Sequence, residues 1–181
     1  PLEIAPSSID RLIPFVDWTV WVYHSQFFFL AFCVWAMRKP ENISRALYAM
    51  GLASLLSFCV FLAFPTTLPR RLPPVEGLTA QAFALLYWMD SDANCFPSLH
   101  VALGWIAALG VMRERRSLGA FAVVIAVLIS ASTLTTKQHY FVDVLAGLGV
   151  AVLCRLLVGK MTFRRSGARE FLNGSKARQN L

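Results

Sequence analysis

Five apolar runs constrain this chain more than any other feature. They span Trp18–Met37, Ile43–Phe64, Leu99–Met112, Leu118–Leu134 and Phe141–Val158. A helix of about 20 mostly apolar residues crosses a bilayer, because hydrocarbon offers no partner to an unpaired backbone group. Leu99–Met112 is shorter, so that helix is expected to begin below the membrane surface, in a cleft. The chain is 57% hydrophobic, against about 45–50% in soluble domains, and the excess lies in these runs. The expected fold is an all-α, multi-pass transmembrane bundle with five visible helices, and six if another precedes Pro1. Residues 1–160 form one transmembrane domain and residues 161–181 a basic cytoplasmic tail.

Charge orients the bundle. The net charge is +7, carried outside the apolar runs. Arg38, Lys39 and Arg45 flank the first connection, Arg113, Arg115 and Arg116 fill the third, and Lys160, Arg164 and Arg165 open the tail. The positive-inside rule puts these in the cytoplasm. The opposite side carries Arg11, Arg70, Arg71 and Lys137, and is the outer face, periplasmic for a bacterial inner membrane. Basic residues arranged this way suit an anionic lipid surface, and nothing resembles a nucleic-acid-binding module. Trp18, Trp21 and Tyr23 read as an interfacial aromatic belt.

The long outer loop contains Pro65, Pro69, Pro73 and Pro74, which impose an extended path. A short helix over Thr79–Met89 follows, with Phe83, Leu86 and Tyr87 lying on the membrane or packing over a site. Cys33, Cys59 and Cys154 sit in apolar runs and Cys95 in a loop, with no zinc-ligand spacing. Asp90, Asp92 and Asn94 look like the start of a calcium loop. The glycine and glutamate it requires are replaced by Cys95 and Val101. No metal or cofactor is expected. Gly104, Ala107, Ala108, Gly147 and Gly149 read as small residues that let helices approach.

Two short strings carry the chemistry: Cys95-Phe96-Pro97-Ser98-Leu99-His100 and Lys137-Gln138-His139-Tyr140-Phe141-Val142-Asp143. Proline and serine favour a helix start, where free N–H groups make an anion site. Ser98 would add a hydroxyl donor, and His100 would be a general acid. His139 and Asp143 are spaced i, i+4, on one face of a helix starting near Gln138. The carboxylate would fix the imidazole tautomer and leave the other nitrogen free to attack phosphorus. Arg70, Arg71 and Lys137 are the available phosphate-binding cations. His24, alone in the first run, reads as a cap or core residue.

With these strings the chain resembles the phosphatidic acid phosphatase type 2 superfamily. Pro97-Ser98-x-His100 matches its second motif, and His139-x-x-x-Asp143 the end of its third. The resemblance implies that His139 is the nucleophile, Asp143 its partner and His100 the acid for the leaving group. The usual first-motif lysine is missing, since Ala63 and Phe64 stand seven residues before Arg70 and Arg71. In the third motif Ser132 is kept and Thr133 replaces an arginine. The Pro-Thr-x-x-Pro-Arg string and the Asp90…Asn94-x-x-Pro97 context look like the inositol phosphorylceramide synthase branch, which adds Asp90 and Asn94 to the substrate-binding set. The expected activity is hydrolysis or transfer on a lipid phosphate or phospholipid through a phosphohistidine. One alternative is headgroup transfer of the inositol phosphorylceramide or sphingomyelin synthase type. The other is an inactive lipid-binding or transport subunit.

Overall fold

A computed structural model describes residues 2–68, 74–90 and 93–160. In chain order the elements are β1 (Leu2–Glu3), α1 (Ser8–Leu12), α2 (Thr19–His24), α3 (Gln26–Ala36), α4 (Pro40–Ala63), β2 (Thr66–Thr67), α5 (Gly77–Met89), α6 (Leu99–Met112), α7 (Arg116–Thr135) and α8 (Phe141–Gly159). The chain folds as a helical membrane bundle. Among the described residues, four spans are long and apolar enough to cross a bilayer: Thr19–Ala36, Pro40–Ala63, Arg116–Thr135 and Phe141–Gly159. The first is interrupted at Ser25, between α2 and α3, where the serine hydroxyl donates to Val22 O at 2.6 Å.

The remaining apolar run forms α6, which has 14 residues and lies at the centre. It packs against α3, α4, α7 and α8, and Ile106, Ala107, Ala108 and Val111 are wholly buried. Its neighbours, not lipid, surround it, so it need not match the hydrocarbon thickness. The outer helices turn Leu55, Phe58, Leu62, Val152 and Leu156 outward, as lipid-facing surfaces require.

Small residues set the close approaches. A Cβ on Gly147 would lie 2.4 Å from Ser98 O, and one on Gly119 2.1 Å from Met112 Cα. Gly104 faces the Gln26 amide, whereas nothing lies within 4 Å of a Cβ at Gly149, so that glycine is not a packing contact.

At the basic end, Glu114 accepts from Arg38 N at 2.8 Å, Lys39 N at 3.2 Å and Asn42 Nδ2 at 2.9 Å. One carboxylate therefore joins the α3–α4 and α6–α7 turns. The two histidine strings lie at the other end. There β1 pairs in parallel with β2, the start of the extended loop. Arg70, Arg71 and Asp92 lie outside the described residues. Helix α5 packs on α2, with Phe83 and Leu86 buried beside Val20 and Tyr23. None of the four cysteines forms a disulfide with another described residue.

Candidate active site

Serine 98 caps α6. It is fully buried, and its Oγ accepts from Val101 N at 3.5 Å. Its own N–H donates to Asp143 O at 3.1 Å, and that bond ties the two motifs together. Ser98, expected as a phosphate donor, is buried with its hydroxyl on the N-terminus of its own helix, and its backbone meets α8.

The helix carrying Asp143 starts later than its sequence suggests. Gln138 and His139 both donate their N–H groups to Thr133 O, at 3.0 and 3.1 Å. Lys137 takes φ +59° and Tyr140 is extended, so α8 begins at Phe141. His139 therefore stands in the turn before the helix, not on its face. Asp143 is the third helical residue, and its Oδ2 accepts from Tyr140 N at 2.8 Å. The same oxygen lies 3.5 Å from His139 Nδ1. Capping geometry, not helical periodicity, makes this pair.

His100 sits on the first turn of α6. Its ring stacks on Tyr23 with centroids 4.3 Å apart. Tyr23 Oη donates to Asp90 Oδ2 at 3.0 Å and lies 3.4 Å from His100 Nδ1. With its proton given to Asp90, the phenol oxygen accepts from His100 Nδ1–H, so Nε2 is an acceptor in the neutral ring and a donor in the imidazolium. Gln26 Nε2 holds His100 O at 2.8 Å. Tyr23 is 1% exposed and so does not belong to the interfacial belt, unlike Trp18 and Trp21. Tyr23 and Gln26 are site residues that sequence reasoning missed. Two polar side chains three apart inside an apolar run were the available signal, since such groups turn inward in a membrane helix.

His100, His139, Asp90 and Asn94 line one pocket of about 390 Å³, with Gln26 beside them. Its remaining wall is mainly apolar: Phe27 and Leu30 of α3, Phe58 and Phe61 of α4, and Leu99 and Leu103 of α6. Asp143 stands behind His139, fully buried. Among the described residues, His100 Nε2, His139 Nδ1 and Asp143 Oδ1 are buried without a hydrogen-bond partner. Buried polar atoms are rarely left so, and a cluster of them marks a place built for another molecule's polar group.

Lys137, expected among the phosphate-binding cations, points elsewhere. Its ammonium donates to Asp10 O at 3.1 Å and to Ile13 O. Burial lowers its pKa, and the Asp10 charge opposes that shift. Thr133, which stands where an arginine is usual, is fully buried and its hydroxyl donates to Ser130 O at 2.8 Å. His24 Nε2 lies 3.0 Å from Ala82 O and anchors α5, the structural role expected of it.

The family model described as the PAP2 superfamily matches residues 9–157. A PA-phosphatase related-family protein of Dictyostelium discoideum is 36% identical over 117 residues, covering 58% of this chain and 21% of that protein. The chain thus spans about a fifth of the length of the curated relative it matches. No solved structure matches. Since the family match runs through both histidine strings and most of the bundle, the chain belongs to the PAP2 superfamily.

Proposed function

We propose that this protein is an integral-membrane enzyme that moves the phosphoryl group of a lipid phosphate or phospholipid through a phosphohistidine on His139. Membership of the superfamily implies phosphatase or phosphotransferase activity on phosphate esters. The observation that carries the lipid reading is the pocket's polarity. Two histidines and Asn94 stand with a wall of Phe27, Leu30, Phe58 and Phe61 on membrane helices. An amphiphile with a phosphate at one end fits both.

In the first step His139 Nε2 attacks phosphorus and the bond to the leaving alkoxide breaks, while His100, as the imidazolium, donates its Nε2 proton to that oxygen. Asp143, beside Nδ1, stabilises the charge that develops on the imidazole. In the second step His100 takes a proton from water or a lipid alcohol, whose oxygen displaces His139 from phosphorus. Phosphoryl transfer needs mainly alignment and charge stabilisation. The active face is the outer one, opposite the basic connections.

A specific observation favours a headgroup transferase as the second reading. The first-motif lysine usual in the superfamily is missing, and Thr133 stands where its third motif usually has an arginine. A site with fewer cations suits a phosphodiester monoanion better than a phosphomonoester dianion.

The test is a lipid panel on purified protein in detergent, reading released phosphate and new lipid products together. Turnover abolished by His139→Ala and trapping of vanadate at His139 are the expected results. Wild-type turnover in His139→Ala would remove the mechanism. An absence of turnover on every lipid, with vanadate not bound, would favour a silent lipid-binding subunit. Strong preference for phosphatidic acid, with no capture by added diacylglycerol or ceramide, would remove the transferase reading.

A further inference from the structure

The segment ahead of the first membrane helix supplies no group to the pocket, yet it ties into both histidine strings. Leu2 pairs with Thr66 and Glu3 with Thr67. Thr66 in turn holds the approach to Pro97–His100. Its carbonyl accepts from Asn94 N at 2.6 Å, and its Oγ1 accepts from Cys95 N at 3.1 Å and Phe96 N at 3.3 Å.

The turn α1 reaches the other string. Asp10 is 7% exposed. Its Oδ2 accepts from Ser7 N at 2.8 Å and Ser7 Oγ at 2.5 Å, while Oδ1 accepts from Phe141 N at 2.7 Å. Phe141 is the first residue of α8, two beyond His139. The first N–H groups of a helix have no partner within it, so Asp10 is a cap supplied from 131 residues away. Lys137 returns the tie through Asp10 O and Ile13 O. A third link runs from Val16 N to Thr135 O at 3.0 Å, beside the Thr19 and Thr135 hydroxyls 2.8 Å apart. Lys137 holds a left-handed backbone that few side chains favour. The turn carrying His139 is therefore shaped by bonds made outside it.

We propose that residues 2–17 are a strap that aims His139 at the pocket, with Asp10 as its positioning residue. The idea rests on His139 being the nucleophile. A carboxylate suits the place because its two oxygens take donors from two segments at once, and its charge favours the N-terminus of α8. Burial pushes the Asp10 pKa up, but the bonds from Ser7 and Phe141 and the Lys137 charge bring it below its usual value. The latch is thus ionised at neutral pH.

The experiment compares wild type, Asp10→Ala, Asp10→Asn and His139→Ala, each purified whole in detergent. The substrate is the phosphate ester that the wild type turns over best. A displaced nucleophile can cost about 100-fold in rate. Asp10→Ala should lose about 10- to 100-fold in kcat with KM within about twofold, because it lines no part of the pocket. Asp10→Asn keeps an acceptor for Phe141 and should recover most of the loss. Hydrogen exchange at the Phe141 amide should quicken in Asp10→Ala and not in Asp10→Asn. Should Asp10→Ala fail to purify, Lys137→Met breaks a second tie and should lower kcat at unchanged KM. Wild-type kcat in Asp10→Ala, or a lowered melting temperature with kcat intact, overturns the proposal. If His139→Ala matches wild type, the nucleophile reading fails instead. Unchanged exchange at Phe141 then overturns the strap independently.

Discussion

Tyr23 shows how much one hydroxyl can do beside the proposed general acid. The ring stacks on His100 and the hydroxyl stands between Asp90 and His100 Nδ1. Tyr23→Phe separates these roles, since it keeps the stack and removes the bridge. The imidazole then loses the acceptor of its Nδ1 proton, and the doubly protonated ring whose Nε2–H a leaving group needs loses one of its hydrogen bonds. The expected result is a fall in kcat of about tenfold, against the 10²–10⁴-fold typical of losing the acid itself. KM should hold, because Tyr23 does not line the pocket. Steady-state kinetics on esters with good and poor leaving groups would check this. The deficit should shrink for good leaving groups, which need no proton, and equal deficits for both would remove Tyr23 from the acid's support.

Among elements, the α6–α8 crossing governs the distance between the motifs. A Cβ at Gly147 would lie 2.4 Å from Ser98 O and 3.2 Å from Val101 Cβ, too close without backbone movement. Gly147→Ala should destabilise the fold by about 1–3 kcal/mol and also lower kcat, because the shift passes through the Ser98–Asp143 bond to both histidines. Gly149→Ala is the control, with open space around it, and should leave melting temperature and rate unchanged. The spans themselves were legible, because a membrane helix announces its length in apolar residues. The start of α8 was not. His139 and Asp143 fit a helical spacing, but Thr133 O captures two N–H groups and Tyr140 stays extended, so the helix opens three residues later. The strap was also illegible. Two-residue strands and a five-residue helix have no periodicity, and Asp10 gains its partner from 131 positions away. Lys137 misled for the same reason, since its carbonyl partners lie at Asp10 and Ile13.

The connections at the other end make a prediction about pH. Burial raises the Glu114 pKa, but the N–H groups of Arg38 and Lys39, the Asn42 amide and the Lys39 charge bring it below the usual glutamate value. A carboxylate with a depressed folded pKa adds stability that is complete above its unfolded pKa. That contribution is lost as pH falls through the folded value. Glu114→Gln should therefore melt lower than wild type at pH 7, and the two curves should converge below about pH 4. Thermal unfolding in detergent across pH 3–7 would show it. A gap that stays constant with pH would mean that Glu114 acts through shape and not charge.

For the whole molecule, the question is which end of the bundle faces out. Arg38, Lys39, Arg113, Arg115 and Arg116 cluster at the end away from both histidines. The positive-inside rule predicts that the basic end lies in the cytoplasm, and the proposed function takes the pocket to open outward. Two exposed positions report the two ends: Leu78 at the start of α5 and Ser117 at the start of α7. With Cys33, Cys59, Cys95 and Cys154 replaced by alanine, Leu78→Cys should react with a membrane-impermeant maleimide in intact cells. Ser117→Cys should react only after permeabilisation. The reverse pattern would put the phosphoryl chemistry on the cytoplasmic leaflet and make the donor a lipid of that face. Because Leu78 lies on α5, which packs against the Tyr23 helix, a Leu78→Cys signal reports the site's own side of the membrane and not a distant loop.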